Sequence, residues 1–178
     1  MWEKKMDATL LCLEVLLLCG MLTSVARGLH FENVALNKPC TMSSRLSWGG
    51  EQHLPDVAVN GDTNGTFIDT GNCIHTKNSD TTPWWEVDLG RSYPVYSVVV
   101  WARNGYESRM KGCIITVDGQ ECYRFDNTPA SRDTSVTCTS GVLNGSVVRV
   151  SKDSTELSGT INMCEFEVIS KFTLVFLP

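Results

Sequence analysis

Pro83-Trp84-Trp85-Glu86-Val87-Asp88-Leu89-Gly90 decides the fold. Trp85, Val87 and Leu89 alternate with Glu86 and Asp88, a period of two that predicts a half-buried strand. Directly after it, Val95-Tyr96-Ser97-Val98-Val99-Val100-Trp101 is almost continuously apolar and β-branched, the pattern of a strand buried on both faces. Cys113-Ile114-Ile115-Thr116-Val117 then ends at Asp118-Gly119, a two-residue hairpin signal. Val147 to Val150 and Met163 to Ile169 read as further strands, and Pro55 to Val59 as a short helical turn. Gly, Asn and Asp turns separate these runs, and no helical period is sustained. The expected fold class is all-β, an antiparallel β-sandwich.

Outward from that stretch, the 178 residues suffice for one domain with a sizeable core. A formal charge of −5 argues against a nucleic-acid or anionic-membrane surface, which needs a basic excess. Lys4 and Lys5, the apolar run Leu10 to Leu22, and Ser24-Val25-Ala26 predict a secretory signal over residues 1–26 and a secreted, extracellular protein. That run is shorter than the roughly 20 residues of a membrane-spanning helix. The apolar segment from Phe172 to Pro178 is shorter still, so no membrane insertion is expected. Cys12 and Cys19 fall in the signal. Cys40, Cys73, Cys113, Cys122, Cys138 and Cys164 remain, an even set that suggests disulfides of open connectivity. None forms a C-x-x-C unit, which argues against zinc. Asn64-Gly65-Thr66 and Asn144-Gly145-Ser146 are glycosylation sequons.

The residues suited to chemistry are sparse. His75 precedes the central strands, and Arg103 and Arg109 flank the loop after them. One imidazole and two guanidiniums are poor equipment for breaking bonds. They are good equipment for holding a polyhydroxylated ligand, because guanidiniums are rigid donors and a neutral imidazole donates or accepts. The chain has no G-x-S-x-G, H-E-x-x-H or P-loop motif. An enzyme is not expected, and a hydrolase serves only as a contrast.

Val87-Asp88-Leu89-Gly90 after a tryptophan, then a buried strand and a basic loop, resembles the discoidin-like, galactose-binding-like jelly rolls. More narrowly, the chain is similar to the F-type lectins, the fucolectin family. The matching pieces, in order, are Asn33-Val34-Ala35-Leu36, Asn60-Gly61-Asp62, Cys73-Ile74-His75-Thr76, Pro83 to Leu89, Arg103, Arg109 and Cys164-Glu165-Phe166-Glu167-Val168. The resemblance implies a lectin domain over residues 27–170, followed by a short apolar tail at 171–178. It further implies that His75, Arg103 and Arg109 converge on terminal L-fucose, with Phe67, Ile68 and Tyr106 as candidates for an apolar wall. A structural Ca2+ would take oxygens from Val57, Asn60, Asp62, Asn72, Cys164 and Glu165, consistent with a hard cation's preference for carbonyls and carboxylates. Disulfides Cys73–Cys164 and Cys122–Cys138 are implied, which leaves Cys40 with Cys113 by elimination. Fucosylated glycans or glycoproteins are the implied partners, innate recognition is the implied setting, and homo-oligomers are left open. The alternative is a discoidin-like domain whose loop binds another glycan or a protein.

This chain departs from the family's sugar motif. The spacing from His75 to Arg103 is one residue longer, and that from Arg103 to Arg109 one residue shorter. Asn104 or Gly105 stands at the acidic position, and Tyr106-Glu107 replaces a pair of adjacent cysteines. A guanidinium without its acidic partner is expected to rely on the sugar or on Glu107. Weaker fucose binding than in relatives with the full motif follows.

Overall fold

The computed structural model describes residues 26–48, 51–66, 71–152 and 159–176. The chain separates into a small unit, Met1–His30 with Thr173–Pro178, and a large one, Phe31–Phe172. In the small unit, residues 26–30 and 173–176 are extended. The predicted signal, apart from Ala26, lies outside the described residues, as do Phe67 and Ile68.

The strands in chain order are β1 (Ala26–Asn33), β2 (Cys40–Met42), β3 (Ser47–Trp48), β4 (Glu51–Gln52), β5 (Ile74–His75) and β6 (Trp84–Ala102). They continue with β7 (Cys113–Val117), β8 (Gln120–Arg124), β9 (Asp133–Thr137), β10 (Leu143–Lys152) and β11 (Asn162–Phe176). Among the described residues, two 3-10 turns, Pro55–Val59 and Glu107–Met110, complete the set.

The two predicted central strands are one 19-residue strand, β6. Its first part pairs antiparallel with β2 on one edge and β10 on the other. Its second part pairs antiparallel with β11 and β9. One strand thus serves both layers, the corner of a sandwich whose strands switch sheets. Trp85, Val87 and Leu89 are fully buried, as the alternation predicts. Outward-facing Glu86 accepts from Arg149 Nε and Nη2 at 2.8 and 2.6 Å. In the second part, Val95, Val98 and Val100 are buried but Tyr96, Val99 and Trp101 are only half covered. That part is buried on one face, not on both.

Trp85 packs on Phe166 of β11, ring centroids 5.2 Å apart. Its indole N–H donates to the Pro55 carbonyl at 2.7 Å, so the buried ring keeps a polar partner and holds the first 3-10 turn. Each such side chain, fully buried, contributes about 1.5–3 kcal/mol. The β7–β8 hairpin turns at Asp118-Gly119, both with positive φ (46° and 83°), as a two-residue turn of this kind requires. Among the described residues no helix is long and apolar enough to cross a membrane.

Cys73–Cys164 and Cys122–Cys138 are bonded. On the chain-entropy account, loops closed over 91 and 16 residues stabilise by about 4.5 and about 3 kcal/mol. The expected Cys40–Cys113 bridge does not form, and both thiols are free. Cys40 lies on β2 opposite Val87 of β6, whereas Cys113 lies on β7 opposite Lys152 of β10. β6 and β10 intervene, and three strand spacings amount to roughly 14 Å, twice the reach of a disulfide.

Candidate functional site

His75 is set by three local features. It pairs with Asn162 across β5 and β11, and Cys73, two residues earlier, is bonded to Cys164. The loop after it is closed by Asp80, whose carboxylate accepts from the Ser43 and Ser44 hydroxyls and the Thr82 amide. The imidazole is 3% exposed. Its Nε2 lies 2.7 Å from Arg109 Nη1, and its Nδ1 lies 2.5 Å from the Thr76 carbonyl. A guanidinium has only donors, so Nε2 must be the acceptor and Nδ1 carries the proton. His75 is therefore neutral. Burial pushes its pKa down to about 4, against the pull of the Thr76 carbonyl and with help from Arg109, Arg103 and buried His53.

The two arginines enter from one loop. Arg103 follows the last residue of β6, and Arg109 lies in the 3-10 turn Glu107–Met110. The Tyr106 amide donates to the Arg103 carbonyl at 3.0 Å, and the Arg109 amide to the Tyr106 carbonyl at 2.9 Å. These bonds fold the loop back so that both guanidiniums lie over one ring. Arg103 Cζ is 4.1 Å and Arg109 Cζ 4.4 Å from the Tyr106 centroid. The structure thus brings all three predicted sugar-binding residues together.

Tyr106, a candidate for the apolar wall, carries both guanidiniums on its ring. Glu107 pairs with the loop backbone, accepting from the Gly105 amide at 3.1 Å, rather than with a guanidinium. Among the described residues, Arg109 is held by His75 and by the Tyr106 ring, which also carries Arg103. Burial and the Arg103 charge lower the Arg109 pKa from its ordinary value, although a guanidinium remains charged.

The residues expected to hold Ca2+ sit in an adjoining turn. Both Glu165 carboxylate oxygens accept from the Gly61 amide at 3.2 Å. Asn60 Oδ1 accepts from the Asp62 amide at 2.8 Å, and Asp62 Oδ2 from Asn72 Nδ2 at 2.5 Å. Val57 belongs to the 3-10 turn leading in, and Cys164 precedes Glu165 on β11. Glu165 is 1% exposed. Burial raises its pKa to about 7, and the nearby Glu167 and Asp62 charges push the same way, while amides of Gly61 and Asn60 oppose them. A buried carboxylate with acidic neighbours is a group that a cation would relieve. Among the described residues no three His, Cys, Asp or Glu side chains cluster for a metal. The donors would thus be mostly amide and carbonyl oxygens, the set a hard cation prefers, and the residues present fit Ca2+.

The turn and the loop are joined. The Gly65 carbonyl accepts from the Asn104 amide at 3.2 Å, and the Thr63 carbonyl from Arg132 Nη1 at 2.5 Å. A Cβ at Gly65 would lie 2.3 Å from Asn104 Oδ1, so a larger residue there would have to push the Asn104 side chain aside. Arg132, like His53, was not flagged by its sequence neighbourhood. Asn64 and Asn144 are exposed, as glycan acceptors must be. An open cavity of about 600 Å³ between residues 37–40 and 54–60 takes in Val57 and Asn60 but none of the sugar triad.

The NedA-like, galactose-binding domain family (F5/F8 type C) matches residues 57–156. Fucolectin-1 of Anguilla japonica is 40% identical over 73 residues, 40% of this chain and 40% of that one. The chain thus aligns with well under half of that relative's length. Among solved structures, the F-lectin (fucolectin) from Morone saxatilis (striped bass) serum superposes with a TM-score of 0.67 at 27% identity. It covers 79% of this chain and 48% of that one. The Streptococcus pneumoniae fucose binding module SpX-3 superposes with a TM-score of 0.62 at 26% identity, over 77% of this chain and 96% of the module. These relatives are lectins and carbohydrate-binding modules, not enzymes, and they carry the galactose-binding-like β-sandwich.

Proposed function

This chain belongs to the NedA-like, galactose-binding domain family, among its F-type lectins, and from that premise we propose that it binds terminal L-fucose on glycans through His75, Arg103 and Arg109. The observation that carries the reading is the 2.7 Å bond from Arg109 to a neutral His75, with both guanidiniums laid on the Tyr106 ring. A neutral, acceptor-side imidazole fixes one guanidinium edge, so the remaining N–H groups are directed before the sugar arrives. Sugar hydroxyl and ring oxygens accept from those donors, and no bond is made or broken.

Val57, Asn60, Asp62, Asn72, Cys164 and Glu165 would hold Ca2+, which when bound supplies positive charge to the buried Glu165 carboxylate. Their own part is to shape the turn, whose Gly65 carbonyl meets the sugar loop at Asn104. Export is supported by the signal-like residues 1–26 and by two disulfides, which persist in oxidising compartments. A setting in innate recognition rests on the likeness to a serum fucolectin. A glycan array with and without calcium tests the reading. Binding to fucosylated glycans that weakens on chelation is expected. Binding only to non-fucosylated glycans or to proteins would replace it with the discoidin-like alternative.

A further inference from the structure

Lys152 ends β10, and the strand's period of two puts it on the same face as Val148 and Val150. Those two are fully buried core residues, and Lys152 is 5% exposed beside them. An ammonium at such a place is costly unless bonded. Its Nζ donates to the backbone carbonyl of Arg109 at 2.7 Å. Cys113, opposite Lys152 in the β7–β10 register, reaches the same oxygen with its thiol at 3.6 Å. The lysine therefore ties the sugar loop to the sheet at the residue whose guanidinium meets His75.

We infer that Lys152 is a positioning residue of the sugar site, fixing the Arg109 backbone so that its guanidinium is aligned on His75 and Tyr106 before ligand arrives. It touches no sugar itself. The inference rests on the reading of His75, Arg103 and Arg109 as the sugar site. Its physical content is preorganisation: a loop held at its backbone has less side-chain and backbone freedom to lose on binding. An apolar side chain at residue 152 would fill the same space but leave the Arg109 carbonyl to a weak thiol donor.

Lys152→Met keeps the chain length and removes the donor. Two readouts are needed: L-fucose affinity by calorimetry, and the 15N resonance of His75 Nε2, which reports whether Arg109 still donates to it. The expected result is affinity about tenfold weaker with a shifted Nε2 resonance. Lys152→Arg, which returns a cationic donor, is expected to recover both. Affinity within twofold of the wild type, or a loss of affinity with Nε2 unmoved, would overturn the inference. If the wild type itself binds no L-fucose, the sugar reading fails on its own. The Nε2 resonance then decides the tether, movement supporting it and constancy overturning it. If Lys152→Met does not fold, a through-hydrogen-bond coupling between the Lys152 ammonium and the Arg109 carbonyl is sought in the wild type. Its presence supports the inference, and an ammonium coupled elsewhere overturns it.

Discussion

Replacing Tyr106 by alanine separates two roles for one ring. The ring carries both guanidiniums, at 4.1 and 4.4 Å, and is itself 38% exposed. Cation–π contacts at such partly exposed positions are worth about 0.5–1 kcal/mol each. Losing two, and then ordering looser arginines on binding, gives an expected cost of roughly 1–2 kcal/mol, or about 5- to 30-fold in affinity. Tyr106→Phe keeps the ring and should stay within about threefold. The assay is displacement of a fluorescent fucosyl probe by L-fucose and by L-galactose, which differs in carrying a hydroxyl on the methyl carbon. A platform for arginines serves both sugars, so Tyr106→Ala should weaken both alike and leave their ratio unchanged. A loss confined to L-fucose would make the ring an apolar wall for the methyl group. No loss for either sugar would remove Tyr106 from the site.

Arg103→Ala and Arg109→Ala should each weaken L-fucose binding by about 1.5–3 kcal/mol, and Arg109→Ala should also lower the melting temperature, because it removes the donor to the buried His75 Nε2. His75→Ala should also lower the melting temperature, because the buried imidazole has partners at both nitrogens. Protonation of His75 is disfavoured in the fold, where its pKa is about 4 against an ordinary 6.5. Its stabilising contribution is therefore full above about pH 6.5 and lost as pH falls through 4, a change of about 3 kcal/mol. The stability difference between wild type and His75→Phe, followed from pH 7.5 to 3.5, isolates it, and a difference that ignores pH would refute it. Calcium at about 100 times its dissociation constant should stabilise by about 2.7 kcal/mol, raising the melting temperature by about 5–10 °C. An unmoved melting temperature on chelation and re-addition would remove the cation from the account.

The β-sandwich was legible because Trp85, Val87 and Leu89 each bury completely while Glu86 and Asp88 face outward. A face that excludes water imposes its period on the sequence. β9 was not legible: along Asp133–Thr137 only Val136 is buried, and a single inward residue makes no pattern. The unity of β6 was also hidden, since Gly90 and Pro94 lie between the two runs that read as separate strands. In the structure Pro94 pairs opposite Asn144, and Gly90 takes a φ of 82° without ending the strand.

The grouping of His75, Arg103 and Arg109 was expected from the ordered resemblance, but the bonding among them was not. No spacing rule says that Arg109 would meet the histidine, or that Glu107 would turn to its own backbone. Cysteine parity misled for a related reason: an even count says nothing about where two strands lie in the sheet. Lys152 did leave a signal. A lysine two residues beyond Val150 and four beyond Val148 continues their buried face, and a charge in that register requires a partner.

The most direct measurement is a titration of isotope-labelled protein with L-fucose, followed by NMR at the side chains of His75, Arg103 and Arg109. The account predicts saturable shifts at all three, together with the Tyr106 ring, and none around the cavity at Asn37–Cys40. Saturable binding that moves the cavity residues and leaves the triad still, or no binding at millimolar sugar, would contradict it.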